Sequence, residues 1–332
     1  MHIITKDEVK RFKDFLDTHE TFIIAGHKEP DGDCVACTLA VSELIKKIGK
    51  KTVTVNAGPF KRTELKRYER KFVQRLKNSL FKSSTGLIIV DCSELQRLGD
   101  IDERLSKLDS FIIDHHKTAA ADITKAIIDP TAPAAACIVQ QLFENIVGKP
   151  DIATAEILFF GLATDTGFFR FLDKTGKETF EAASRLVDYG ANPRTTYDDI
   201  TGGKPYSTRK LLGVLLSKAE SHFDGKLVVT VENIEDTRRY GQEGRDSDSL
   251  YQLLLSCASV QAVVFLREES EQTCTLGFRS RNEIDVSAVA AVFGGGGHKN
   301  ASGALTEGTP ETILPKIISE FGKIFNITSE KV

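Results

Sequence analysis

Carboxylates and imidazoles gather at four places in this chain, and at three of them they directly follow a short apolar run. Phe22-Ile23-Ile24-Ala25-Gly26 leads into His27, Asp31 and Asp33, and Leu87-Ile88-Ile89-Val90 leads into Asp91. Phe111-Ile112-Ile113 leads into Asp114, His115 and His116. A further cluster, Ala163-Thr164-Asp165-Thr166-Gly167, follows an apolar helical stretch. Oxygen and imidazole donors of this kind are those of divalent-cation sites. Four carboxylates (Asp31, Asp33, Asp91, Asp165) and two imidazoles (His27, His115) suffice for two cations sharing a bridging carboxylate. Two cations about 3.5–4 Å apart generate a hydroxide nucleophile and clamp a phosphoryl centre. A donor set without thiolate favours Mn²⁺, with Mg²⁺, Co²⁺ or Fe²⁺ as alternatives, whereas structural zinc would favour cysteine.

Such groups act together only if strands bring them to one edge. Short β-branched runs read as buried strands, and open α/β sheets bind ligands outside the carboxyl ends of their strands. Pro30 and Gly32 suit a tight turn that lets residues 27, 31 and 33 point inward together. A helix is expected over Thr38–Lys50 and a strand over Lys51–Val55. Thr131-Ala132-Pro133 reads as a cap with proline in the first turn of a helix reaching about Gly148. Asp151 opens another helix through Leu162, and Thr175–Tyr189 forms a third, closed by Gly190. The alternation predicts a doubly wound parallel sheet.

Pro193, Gly202, Gly203 and Pro205 mark a linker. Beyond it, Leu227–Val231, Ala262–Leu266 and Thr275–Phe278 read as strands, with helices at Asp248–Cys257, Val286–Phe293 and Pro310–Phe325. The expectation is therefore an α/β protein of two domains. Residues 1–192 form the larger, 193–212 the linker, and 213–332 a smaller α/β substrate-binding domain.

A length of 332 residues fits two domains, and 41% apolar with 27% charged residues is a globular composition. No apolar run approaches the roughly 20 residues that cross a bilayer, and the N-terminus lacks a signal-peptide core, so no membrane partner and a cytoplasmic location are expected. Six scattered cysteines read as reduced thiols. A net charge of −3 argues against wrapping long nucleic acid and leaves room for a small anionic substrate.

His27-x-x-x-Asp31-x-Asp33, Asp91, Asp114-His115-His116 and Asp165 resemble the motifs of the DHH phosphoesterase superfamily. Gly294-Gly295-Gly296-Gly297-His298-Lys299-Asn300-Ala301-Ser302-Gly303 resembles the glycine-rich signature of the DHH-associated C-terminal domain. The resemblance implies one metal held by His27, Asp31 and Asp91, and another by Asp33, Asp91, His115 and Asp165, with Asp91 bridging. It also implies His116 near the transferring phosphoryl group as donor or acid, and Asp114 orienting the histidines. Size and domain content favour the nanoRNase and pAp phosphatase (NrnA) group over RecJ-type exonucleases, membrane-bound cyclic-dinucleotide phosphodiesterases and family II pyrophosphatases. The implied activity is hydrolysis of short oligoribonucleotides, including pApA- and pGpG-type dinucleotides, to mononucleotides, and of 3′-phosphoadenosine 5′-phosphate (pAp) to AMP, by two-metal hydroxide attack. A homodimer is compatible, since family members are often dimeric. An enzyme devoted to linear dinucleotides, an exopolyphosphatase-like phosphohydrolase and a non-catalytic nucleotide-sensing module are the alternatives.

Two departures accompany the resemblance: Ala36-Cys37 replaces a common Gly-Ser, and Ala134–Cys137 lacks the Ser/Thr and Glu frequent in relatives. Gly295, Gly296 and Gly297 expose backbone N–H groups to an anion. His298, Asn300 and Ser302 add polar groups, and Arg279 can fork onto a phosphate. Lys61–Lys77 carries eight Lys/Arg against two Glu. It reads as a solvated helix with Arg62, Lys66 and Arg70 on one face, or as a guide for an oligonucleotide tail. Cys34-x-x-Cys37 has redox-motif spacing, but packing thiols are the simpler reading.

Overall fold

The computed structural model describes residues 2–116, 123–172, 174, 176–241, 245–281 and 283–327. The chain divides into two compact units, Met1–Gly203 and Lys204–Val332. The first runs α1 (Lys6–Asp17), β1 (Thr21–Gly26), α2 (Gly32–Lys47), β2 (Lys51–Val55), α3 (Lys66–Glu69), β3 (Thr85–Val90) and β4 (Asp109–Asp114). It continues with β5 (Ala126–Ile128), α4 (Ala135–Ile146), α5 (Ile152–Asp165), α6 (Lys177–Asp188) and α7 (Pro193–Thr201).

The five strands are all parallel, in the order β2-β1-β3-β4-β5. In this order the winding reverses between β1 and β3, and such a switch point opens a crevice at the carboxyl ends of those strands. Alternation along β1 and β3 divides their side chains between two layers. Phe22, Ile24, Ile88 and Val90 join the core under the helices, including Val41, Leu142 and Leu158. Ile23, Ala25, Leu87 and Ile89 face the other way onto Leu98 and Leu105, which lie in short 3₁₀ turns.

Several elements differ from the sequence expectation. Helix α2 begins at Gly32, six residues before Thr38, because Asp31 caps it by accepting from the Cys34 N–H at 3.0 Å. Helix α4 begins after Ala134 and not at Thr131-Ala132-Pro133, since the Thr131 hydroxyl is spent on Asp129. The third expected helix starts at Lys177; its expected first residue, Thr175, lies outside the described residues. The stretch 193–212 is not an irregular linker. Asn192 caps α7 with Pro193 in the first turn, and the next helix follows soon after. The basic segment forms a 3₁₀ turn, Thr63–Leu65, and the single helical turn α3, so no long face aligns Arg62, Lys66 and Arg70.

The second unit contains α8 (Tyr206–Ser217), β6 (Glu220–His222), β7 (Leu227–Glu232), α9 (Ile234–Tyr240), α10 (Ser247–Leu255) and β8 (Ala262–Ser270). It ends with β9 (Thr273–Ser280), α11 (Val286–Val292), β10 (Gly296–His298), β11 (Ala301–Glu307) and α12 (Pro310–Ile327). Its mixed sheet has the order β10-β11-β9-β8-β7-β6, with β7 and β8 parallel and the other pairs antiparallel. Among the described residues no helix is long and apolar enough to cross a membrane.

Candidate functional site

The carboxyl ends of β1, β3 and β4 bring most of the expected groups together. His27 follows β1, and its Nδ1–H donates to the Lys28 carbonyl at 2.9 Å. A carbonyl only accepts, so Nε2 is the ring atom left for the cluster, 3.7 Å from Asp31 Oδ2 and 3.4 Å from Asp91 Oδ2. His115 repeats the device after β4: Nδ1–H donates to Ala132 O at 3.1 Å. Its Nε2 then faces Asp91 Oδ1 at 3.4 Å and Asp165 Oδ2 at 3.5 Å. Asp165 is the last residue of α5.

Asp91 stands between the two rings. It is 2% exposed, holds a left-handed backbone at φ 56°, and its Oδ1 has no hydrogen-bond partner. Buried carboxylate oxygens without partners and non-glycine residues in this backbone region are both costly and concentrate at functional sites. Asp33 is also buried, but its oxygens accept from the Ala135 and Ala136 N–H groups at 2.6 and 3.0 Å. The helix whose alanines lack polar side chains thus contributes through its backbone.

Asp114 accepts from the His115 and His116 N–H groups at 2.8 and 3.2 Å, and from His116 Nδ1–H at 2.7 Å. This leaves Nε2 of the half-exposed His116 available beside the cluster.

Electrostatics follow from the crowding. Burial together with the Asp91 and Asp165 charges pushes the Asp33 carboxyl well above its ordinary range. Burial, with Asp91 and Asp31 adding to it, raises Asp165 to about 6. Burial works against a charged ring at His115, yet the Asp91 and Asp33 carboxylates push it up to about 10. Burial likewise opposes charge at His27, and Asp31 and Asp91 override it, raising its pKa.

The donor set fits a metal. The 3.4–3.7 Å gaps between Nε2 atoms and carboxylates are long for hydrogen bonds. They are close to the ~3.0–3.4 Å separating donors that share one small cation at ~2.0–2.2 Å. Asp33, His115 and Asp165 form one such group, Asp91, His115 and His116 another, and His27, Cys34 and Asp91 a third.

Sequence reasoning missed two neighbours. Asn56 follows β2 as Asp91 follows β3, and its Nδ2 donates to His27 O at 3.0 Å. Its strand-end position was the available signal. Cys34 entered the sequence reading only as a packing thiol.

In the second unit, a pocket of about 360 Å³ is lined by Tyr251, Arg267, Arg279, Gly296 and Ser302 among others. The Arg279 guanidinium lies 4.7 Å from the Tyr251 ring centroid. Gly296–His298 is not a free loop but an edge strand paired to Ala301–Gly303. Gly295, Gly297, His298 and Asn300 do not line the pocket. Asn300 donates to Ser280 Oγ at 3.0 Å and Ile284 O at 3.3 Å, and Ser302 Oγ–H to His298 O at 2.7 Å, so both brace the turn. Tyr251 and Arg267 carried no motif signal.

Another cavity, of about 940 Å³ in the first unit, contains none of the six expected metal donors. It sets Arg67, Arg70 and Lys71 against Glu43, Glu156 and Asp199, and Arg67 is paired to Asp199 at 2.6 Å. This mixed lining does not favour a polyanion.

Residues 21–163 match the DHH family, N-terminal domain, and residues 223–326 match the DHHA1 domain. A bifunctional oligoribonuclease and PAP phosphatase NrnA of Thermus thermophilus is 30% identical over 86% of this chain and 84% of its own. The chain belongs to the DHH family. The DHH fold is shared with an exopolyphosphatase-related protein from Bacteroides fragilis, at TM-score 0.84 and 22% identity, covering 98% of this chain and 99% of that one. It is shared more distantly with an exonuclease RecJ bound to manganese, at TM-score 0.57 and 14% identity, covering 100% and 98%.

Proposed function

We propose that this chain is a metal-dependent phosphoesterase that hydrolyses short oligoribonucleotides to mononucleotides and pAp to AMP. The observation that carries the reading is Asp91, buried and strained, with one oxygen toward His27 and the other toward His115. A carboxylate in that position serves two cations at once. The Thermus relative, an oligoribonuclease and PAP phosphatase by name, supports the substrate class.

In this reading His27, Asp31 and Asp91 hold one divalent cation, and Asp33, Asp91, His115 and Asp165 hold the other. Cations held there, for which Mn²⁺ suits the donors and is the ion bound in the RecJ structure, would supply a water activated near neutrality and positive charge toward phosphoryl oxygens. The chain's own groups do the remaining work. The carbonyls of Lys28 and Ala132 hold both imidazoles with Nε2 inward. Asp114 fixes His116 so that its Nε2 meets a phosphoryl or leaving oxygen. In the second unit Arg279 and the Gly296 backbone, which line the pocket there, bind substrate phosphate, while Asn300 and Ser302 hold that turn in shape.

The test is product release from 5′-labelled RNA dinucleotides and from pAp, with Mn²⁺ and then with chelator. Mononucleotides and AMP that vanish on chelation are expected. Turnover that survives complete metal removal, or hydrolysis of polyphosphate alone, would overturn the reading.

A further inference from the structure

A thiol adjoins the His27 side of the cluster. Cys34 lies in the first turn of α2, fully buried, with Sγ 3.9 Å from the His27 carbonyl oxygen. Ligand atoms of His27, Cys34 and Asp91 all fall within 4.8 Å of one another. The last residue of β1 makes room for this. A Cβ at Gly26 would stand 2.2 Å from Cys34 Sγ, so any side chain there would displace the sulfur. The second observation is independent of the thiol: Asp91, 2% exposed, turns its Oδ2 to this side, 3.4 Å from His27 Nε2, while its partnerless Oδ1 faces His115. The neighbouring thiol differs, for Cys37 Sγ–H points at Asp33 Oδ1 at 3.5 Å and Cys37 belongs to none of the three donor groups.

Resting on the metal-dependent reading above, we infer that Cys34 is an additional protein donor to the cation held by His27, Asp31 and Asp91. The thiol proton passes to solvent as the sulfur–metal contact forms. A soft sulfur among nitrogen and oxygen donors shifts that position toward Co²⁺, Zn²⁺ or Cd²⁺ and away from Mg²⁺. The position built from Asp33, Asp91, His115 and Asp165 keeps hard and borderline donors alone. The two cation positions are therefore chemically unequal, and thiophilic ions fill the His27 position first.

The test is titration of the full chain with Co²⁺, comparing wild type with Cys34→Ala, Cys34→Ser and Cys37→Ala. The readout is the near-ultraviolet thiolate-to-cobalt charge-transfer band, which does not depend on turnover. Wild type and Cys37→Ala are expected to show the band, and both Cys34 variants to lose it at equal cobalt content. Their preference for Co²⁺ over Mg²⁺ should fall by about tenfold or more, a common scale for perturbing a metal's surroundings. Cys34→Ser keeps the side chain's shape and preserves the comparison if Cys34→Ala does not fold. Cobalt bound to wild type without the band overturns this inference and leaves the metal-dependent reading standing. Absence of cobalt uptake by wild type overturns both.

Discussion

At φ 56° and 2% exposure, Asp91 places a carboxyl group where backbone and burial both disfavour it. Asparagine tolerates the left-handed region nearly as well as aspartate and removes the charge. Asp91→Asn withdraws the carboxylate that faces the His27 and His115 rings and leaves an amide in its place, so it is expected to lower the stability of the metal-free protein by about 1–3 kcal/mol. The same substitution should cut turnover on the order of 10²–10³-fold, the scale of removing one group that stabilises a transition state. Thermal unfolding in chelator together with single-turnover rates in Mn²⁺ would measure both. A variant as stable as wild type in chelator would mean that the carboxylate contributes nothing through the two imidazoles. Residue types at the strand ends marked Asp91, His27 and His115 as candidate donors, but the strain at Asp91 was not legible. It depends on a backbone angle that no side-chain pattern encodes. The cap on α4 was hidden for a related reason: the donors to Asp33 are backbone groups of Ala135 and Ala136, and alanines advertise nothing.

Helix packing decides how firmly those donors are held. Helix α5, which ends at Asp165, crosses α2 and α4 at Gly161, where a Cβ would stand 2.6 Å from Ala36 Cβ and 3.0 Å from Asp33 Oδ1. Alanine gains about 1 kcal/mol over glycine in an open helix. Overpacking costs typically 1–3 kcal/mol, and the atoms opposing here are helix side chains close to their own backbones. Gly161→Ala should be net destabilising by about 1 kcal/mol and weaken metal uptake, seen as a lower denaturant midpoint and a raised Mn²⁺ requirement. The other end of α5 gives a test in pH. Asp151 caps it by accepting from Thr154 N–H at 2.9 Å, and the Lys47 ammonium beside it lowers its carboxyl to about 2. A depressed carboxyl contributes stability above its unfolded value of about 3.9 and loses it as pH falls through the folded value. Asp151→Ala should cost about 1 kcal/mol near neutrality. The gap to wild type should stay level above roughly pH 5 and narrow between about pH 4 and 2. A gap unchanged at pH 2 would show that the charge is idle. This cap was readable from sequence because aspartate preceded an apolar helical run. The helix inside the expected linker was not, since Pro193 and Gly202 serve as its first-turn and end residues and resemble loop punctuation.

Across the whole molecule, each unit builds hydrophobic clusters from its own residues. Residues from Ile4 to Ala191 supply those of the first unit, and residues from Leu211 to Phe325 those of the second. The six proposed metal donors all belong to the first unit, whereas Arg279 and the glycine-rich strand belong to the second. Binding to the native state stabilises only what must be folded to bind, by RT ln(1 + [L]/Kd), about 2.7 kcal/mol at a hundredfold excess over Kd. Scanning calorimetry should then resolve two transitions, with Mn²⁺ raising one and chelator restoring it. Substrate-sized anions such as AMP, added without metal, should act on the other. A cation competes with protons for the imidazoles and the carboxyls that crowding raises, so the Mn²⁺-shifted transition should also come with proton release, detectable as a buffer-dependent binding heat. A single transition that moves as one body with Mn²⁺ would mean that the cores unfold together despite being built from separate residues. Movement of both transitions by AMP alone would place phosphate contacts in each unit, and Arg62 and His116 in the first would be the residues to substitute next.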